Sequence, residues 1–124
     1  MCIRDSIRLV CDEMIPACAP LARWCDVFCD EGAFTVAQAR RVLLAGRAAG
    51  LSLRIHADEL ARSGGSMLAA ELGCASADHL IHATWEEIAA LKAAGVVAVM
   101  LPGTSYTLGV ELSLIHISEP TRPY

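Results

Sequence analysis

The chain has 124 residues, 55% hydrophobic and 19% charged, with a net charge of −4, a pI near 5.5 and a mean hydropathy of +0.46. That composition describes one small folded domain, or a piece of a larger one, and is too apolar for a disordered chain. An acidic balance with 5% aromatic residues gives no footprint for nucleic acid or anionic lipid, and the longest apolar stretches, such as VVAVMLP at 96–102, fall far short of the ~20 residues of a spanning helix, so neither a nucleic-acid nor a membrane partner is expected.

The two ends read as foreign. Back-translated, LSLIHISEPTRPY at 112–124 resembles a transposase mosaic end with its sequencing adapter, and MCIRDS at 1–6 resembles the reverse complement of that mosaic end. Residues 1–6 and 112–124 are therefore set aside, which leaves 7–111 as an internal piece of a longer gene.

Within that piece, 7–22 has apolar residues at helical spacing, and Pro16 is expected to kink or end the helix. WCDVFC at 24–29 reads as a strand, followed by a turn at 30–32. Thr35 and Gln38 form a capping box that opens a helix closed by Gly50. LSLRIHA alternates as a strand that ends at His56. Gly64-Gly65 opens a helix closed by Gly73, and a short strand is expected around Ala77–Ile81. Thr84 and Glu87 form a second capping box for a helix that stops at Gly95. VVAVMLP then reads as a strand buried on both faces. Strands alternating with helices through short connections predict an α/β fold with a parallel sheet, either doubly wound or a segment of a barrel.

Three polar clusters follow the carboxyl ends of these strands, where parallel α/β folds place their sites. In RIHADE, His56 ends its strand and offers a neutral imidazole to zinc or iron. Glu59, in the loop above, could hold a substrate N–H or shuttle a proton, while Asp58 points away and caps the loop. In SADHL, His79 ends the next strand, close enough to His56 for one to bind metal and the other to act as base. A strand-end histidine satisfied by backbone is the competing reading for each, and their joint occurrence weakens it. LPGTSY at 101–106 could close a pocket but reads better as an ordinary turn. His82 is expected at the surface, Arg40, Arg41 and Arg47 on a solvated helix face, and the cysteines as packing residues. Six cysteines without a C-x-x-C pair, in a chain without a signal peptide, point to a reducing, cytoplasmic setting.

DVFCDEGAFT at 26–35, IHADEL at 55–60, AAELGCASADHL at 69–80 and VAVMLPGTS at 97–105 strongly resemble imidazolonepropionase, the cyclic amidohydrolase of histidine degradation, and the resemblance runs through essentially all of 7–111. It implies a metal-dependent (β/α)8 TIM-type barrel, of which this chain holds about strands four to seven. It also implies hydrolysis of 4-imidazolone-5-propanoate to N-formimidoyl-L-glutamate, by water that one Zn2+ or Fe3+ ion activates. By the same resemblance His56 is a metal ligand, Glu59 binds and serves the substrate ring, and His79 assists the water. A homodimeric parent is compatible with it. The family's H-x-H pair and late aspartate ligand do not occur here, so one of four expected ligands is present, and the chain alone is expected to be inactive and poorly soluble. Another cyclic amidohydrolase or deaminase of the superfamily, or a small non-catalytic α/β binding module, are the alternatives.

Overall fold

In a computed structural model, residues 3–110 are described. The first region winds through helix α1 (Ile3–Leu9), a π turn (Val10–Met14), helix α2 (Ile15–Cys18) and a 3-10 turn (Ala19–Leu21). Pro16 therefore does not end the helix. Proline has no N–H, and its ring crowds the carbonyl four residues back. The chain widens one turn earlier instead, and the Ile15 N–H reaches the Val10 carbonyl. Helix α1 starts at Ile3, so part of the 1–6 stretch is helical; the 112–124 stretch lies outside the described residues.

Four strands follow: β1 (Trp24–Cys29), β2 (Ser52–Ala57), β3 (Ser76–His79) and β4 (Val97–Val99). Between and after them lie helices α3 (Val36–Ala48), α4 (Gly65–Leu72), α5 (Trp85–Ala93) and α6 (Pro102–Leu108). All strand pairs are parallel, in the order β1-β2-β3-β4, with Val27 opposite Ile55 and His56 opposite Asp78. That order decides between the two expected architectures. A doubly wound sheet reverses direction partway; here every step goes the same way, so right-handed crossovers put all the helices on one face. The result is part of a TIM-type barrel whose sheet is not closed, since among the described residues β1 and β4 each pair on one side only.

Local signals account for most of the boundaries. Both capping boxes form: the Gln38 N–H donates to Thr35 Oγ1 (3.3 Å) and the Thr84 N–H to Glu87 Oε2 (2.7 Å). Gly50, Gly73 and Gly95 take the left-handed conformation just past α3, α4 and α5. The core lies between sheet and helices. Cys25, Val27, Cys29, Leu53, Ile55, Ala57 and Ala77 meet Ala39, Val42, Leu43, Leu68, Ala69 and Leu91 there. Contact is close enough to demand glycine twice: a Cβ on Gly46 would stand 2.5 Å from Cys25 Cβ, and one on Gly65 would stand 2.7 Å from Ala57 Cβ.

Two expectations are corrected here. VVAVMLP is not buried on both faces. Val96 is buried, but Val97 is 59% exposed and Ala98 is exposed too, because β4 is an edge strand and the sheet face turned from the helices is uncovered. The arginines of α3 are not all free in solvent either: Arg40 pairs with Glu71 and Arg47 donates to the Leu72 carbonyl, which ties α3 to α4. Two strand ends also shift, with β2 running one residue past His56 and β3 stopping at His79 rather than Ile81. No helix among the described residues is long and apolar enough to cross a membrane.

Candidate active site

Side chains alternate along a strand, so while Leu53, Ile55 and Ala57 face the helices, Arg54 and His56 face the open side with Asp26 and Phe28 of β1. His56 Nδ1 lies 3.1 Å from Asp26 Oδ1. A carboxylate there selects the tautomer with hydrogen on Nδ1, orients the ring and leaves the Nε2 lone pair free. Phe28 meets the same ring edge-on at 6.3 Å between centroids. Asp26 is a site residue that sequence reading missed; the available signal was a charged residue inside the otherwise apolar WCDVFC.

His79 reaches the site by a different route. Its register partner is Ala57, so simple alternation would aim it at the helices. Its backbone is left-handed instead (φ 75°), as is that of Leu80 (φ 55°), and the alternation breaks. The ring centroid comes to 5.3 Å from that of His56, and Nε2 comes to 3.5 Å from Glu59 Oε2. His79 is buried, and its Nδ1 has no hydrogen-bond partner among the described residues. The expected proximity of the two histidines holds, but it comes from this backbone turn rather than from strand spacing alone.

Glu59 lies two residues past the end of β2, and a cleft of about 450 Å³ is lined by Asp26, Val27, Phe28, His56 and Glu59. Asp58, left-handed at φ 52°, turns the other way and is fully buried. Its carboxylate accepts from the Ser63 N–H (2.7 Å), Ser63 Oγ (2.9 Å), the Gly64 N–H (3.0 Å) and the Ser66 N–H (3.0 Å), and from Ser66 Oγ. Asp58 thus does cap, as expected, and what it caps is the start of α4, whose N-cap residue Gly64 has no side chain to do so. Elements β2, its loop and α4 are in this way fixed as one unit under Glu59.

The remaining candidates stay apart. LPGTSY is not the ordinary turn expected: Pro102 to Tyr106 already belong to α6, with Pro102 in its first turn, and no hydrogen bond among the described residues joins Thr104 or Ser105 to the histidines. His82 is exposed, as expected. Cys25, Cys29 and Cys74 are buried packing residues; burial, followed by the Asp58 and Asp30 carboxylates, pushes the Cys29 thiol up to about 11. Cys18 departs from that description and is exposed. Among the described residues no three His, Cys, Asp or Glu side chains gather to hold an ion. Among the described residues, Asp26 braces the His56 ring from behind and leaves its Nε2 lone pair available.

No protein-family model matches the chain. The imidazolonepropionase of Haloarcula marismortui is 57% identical over 107 residues, which cover 85% of this chain and 26% of that protein. That of Alkaliphilus metalliredigens is 53% identical over 106 residues, 84% of this chain and 25% of its own length. That of Shouchella clausii is 51% identical over 107 residues, 85% of this chain and 24% of its own. The chain spans about a quarter of the length of the curated relatives it matches. The parallel sheet that carries His56, Glu59 and His79 at its carboxyl ends is thus homologous to about a quarter of an imidazolonepropionase.

Proposed function

We propose that this chain is the part of a cytoplasmic imidazolonepropionase barrel that spans about strands four to seven, and that the whole enzyme hydrolyses 4-imidazolone-5-propanoate to N-formimidoyl-L-glutamate. The observation that carries the reading is the meeting of Glu59 and His79, 3.5 Å apart, beside His56 at the carboxyl ends of adjacent strands. One carboxylate and one imidazole in contact, both nearly buried, can divide the proton work of a ring-opening hydrolysis.

The bond that breaks joins the ring carbonyl carbon to a ring nitrogen, and the bond that forms joins that carbon to the oxygen of water. His79 holds the water and takes its proton. Glu59 accepts from the ring N–H, and the proton that His79 took from water passes across the 3.5 Å contact to Glu59, which delivers it to the departing nitrogen. His56 Nε2 would be this chain's ligand to a Zn2+ or Fe3+ ion, which when bound would supply Lewis-acid polarisation to water. Asp26 orients His56 for that task.

The test is turnover of 4-imidazolone-5-propanoate by the metal-loaded full-length protein, with Glu59→Gln and His79→Asn as variants. Each variant is expected to lower kcat by about 10²- to 10⁴-fold, the range of a positioned proton-transfer group. A full-length protein without turnover, or variants at the unaltered rate, contradicts the reading. A full-length protein that instead opens or deaminates a different cyclic substrate assigns it to another branch of the superfamily.

A further inference from the structure

We propose that Asp30 is a positioning residue for this site: its carboxylate holds the backbone that carries Glu59 and so sets Glu59 against His79. The inference rests on the reading above, in which Glu59 serves the substrate ring.

Asp30 follows the last residue of β1 and is 4% exposed. Its Oδ2 accepts from the N–H groups of Glu59 (2.7 Å) and Leu60 (3.0 Å), and its Oδ1 from those of Ala61 (3.1 Å) and Glu31 (2.7 Å). Three successive amides, 59 to 61, therefore converge on one carboxylate, a concave arrangement that suits an anion. Bonds from N–H to an ionised carboxylate are roughly twice as strong as neutral ones, so this stretch is clamped although it belongs to no helix or strand.

The placement follows from the sheet. Cys29 pairs with Ala57, so Asp30 and Asp58 leave adjacent strands side by side. The two buried carboxylates divide the loop between them. Asp58 takes the amides of Ser63, Gly64 and Ser66, and Asp30 takes those of 59 to 61. The Glu59 side chain has no comparable anchor; among the described residues its polar neighbour is His79 Nε2. Where the Glu59 carboxylate sits is thus decided by its backbone, and its backbone is held by Asp30. An asparagine there would present an NH2 group to a cluster of N–H donors and could not accept all four bonds.

In the zinc-loaded full-length protein, Asp30→Asn is expected to lower kcat/KM about 10- to 100-fold, the usual cost of losing an orienting partner. Placed on top of Glu59→Gln, the same substitution is expected to cost less than about 2-fold further, because its effect passes through Glu59. A full additional loss on that background, or no loss alone, overturns the proposal. Should Asp30→Asn fail to fold, Asp30→Glu keeps the charge and is read in the same cycle. Amide hydrogen exchange supplies a readout that needs no activity. In Asp30→Asn the amides of 59 to 61 are expected to exchange at least about tenfold faster while those of Ser63, Gly64 and Ser66 keep their protection. Unchanged exchange at 59 to 61 overturns the proposal. Absence of turnover in the unaltered protein speaks against the imidazolonepropionase reading alone, since the exchange result still reports on Asp30.

Discussion

His79 Nε2 and Glu59 Oε2 lie 3.5 Å apart, although His79 ends β3 while Glu59 lies in the connection after β2, and neither is aimed at the other by strand alternation. Two left-handed residues make the meeting possible: Asp58, which turns the chain away just before Glu59, and His79 itself. The pair is also nearly sealed from water, with side-chain exposures of 10% and 14%. A charge interaction there is screened far less than one on the open surface.

Asp58→Ala is expected to destabilise the fold by about 3 kcal/mol, because it strands the buried donors of Ser63, Gly64 and Ser66 at the start of α4. The loss is read from the urea midpoint of the full-length protein, as are those that follow. A change within about 0.5 kcal/mol would show that solvent or another group satisfies those donors.

Gly46→Ala is expected to cost about 2 kcal/mol, since the new Cβ would overlap Cys25 Cβ and Sγ, at 2.5 and 2.6 Å. Gly103→Ala is the control: nothing lies within 4 Å of its Cβ, and its effect should stay within about 0.5 kcal/mol. Equal midpoints for the two variants would contradict the tight contact between α3 and β1.

Cys29 and Cys74 are both pushed up to about 11 from an ordinary 9.0, mainly by burial. An unfolded chain releases these protons near 9.0 while the folded one keeps them to about 11. Stability from this source is therefore complete below pH 9 and is lost as the pH rises through that window. The urea midpoint is expected to fall as the pH rises from 9.0 toward about 11, and to fall less when both residues are replaced by alanine. An identical pH slope in the alanine variant would contradict the assignment. At neutral pH an alkylating agent should modify exposed Cys18 well before either of them.

The 124-residue chain by itself, with zinc or iron added, is expected not to turn over 4-imidazolone-5-propanoate, because among the described residues no three donor side chains gather to hold an ion. Edges of β1 and β4 that are unpaired among the described residues, with Val97 exposed on the latter, favour self-association, which size-exclusion chromatography should show. Turnover, or a monodisperse monomer that unfolds cooperatively, would contradict these expectations.

Where the sequence carries its own local explanation, it was read correctly. The alternation and aromatic content of WCDVFC bound β1 to the residue, and each capping box marks the helix it starts. The proximity of His56, Glu59 and His79 was legible because each lies at or just past the carboxyl end of an apolar strand; their roles are proposals. What escaped was set by tertiary context. Nothing in VVAVMLP says whether another strand will cover its far side, so an edge strand reads as a buried one. Pro16 reads as a helix end because a π turn has no signature of its own. Asp26 and Asp30 look like a stray strand charge and a turn former until β2 is laid beside β1 and gives each its partner.

We propose that this chain is about a quarter of a barrel whose site is completed by sequence on either side. Reading the source DNA outward from primers within 7–111 tests it most directly. The account predicts an uninterrupted frame in both directions, with an H-x-H pair upstream and an aspartate beyond a further strand. A frame that starts at Met1 and stops after Tyr124 would contradict it and leave a small α/β binding module in its place.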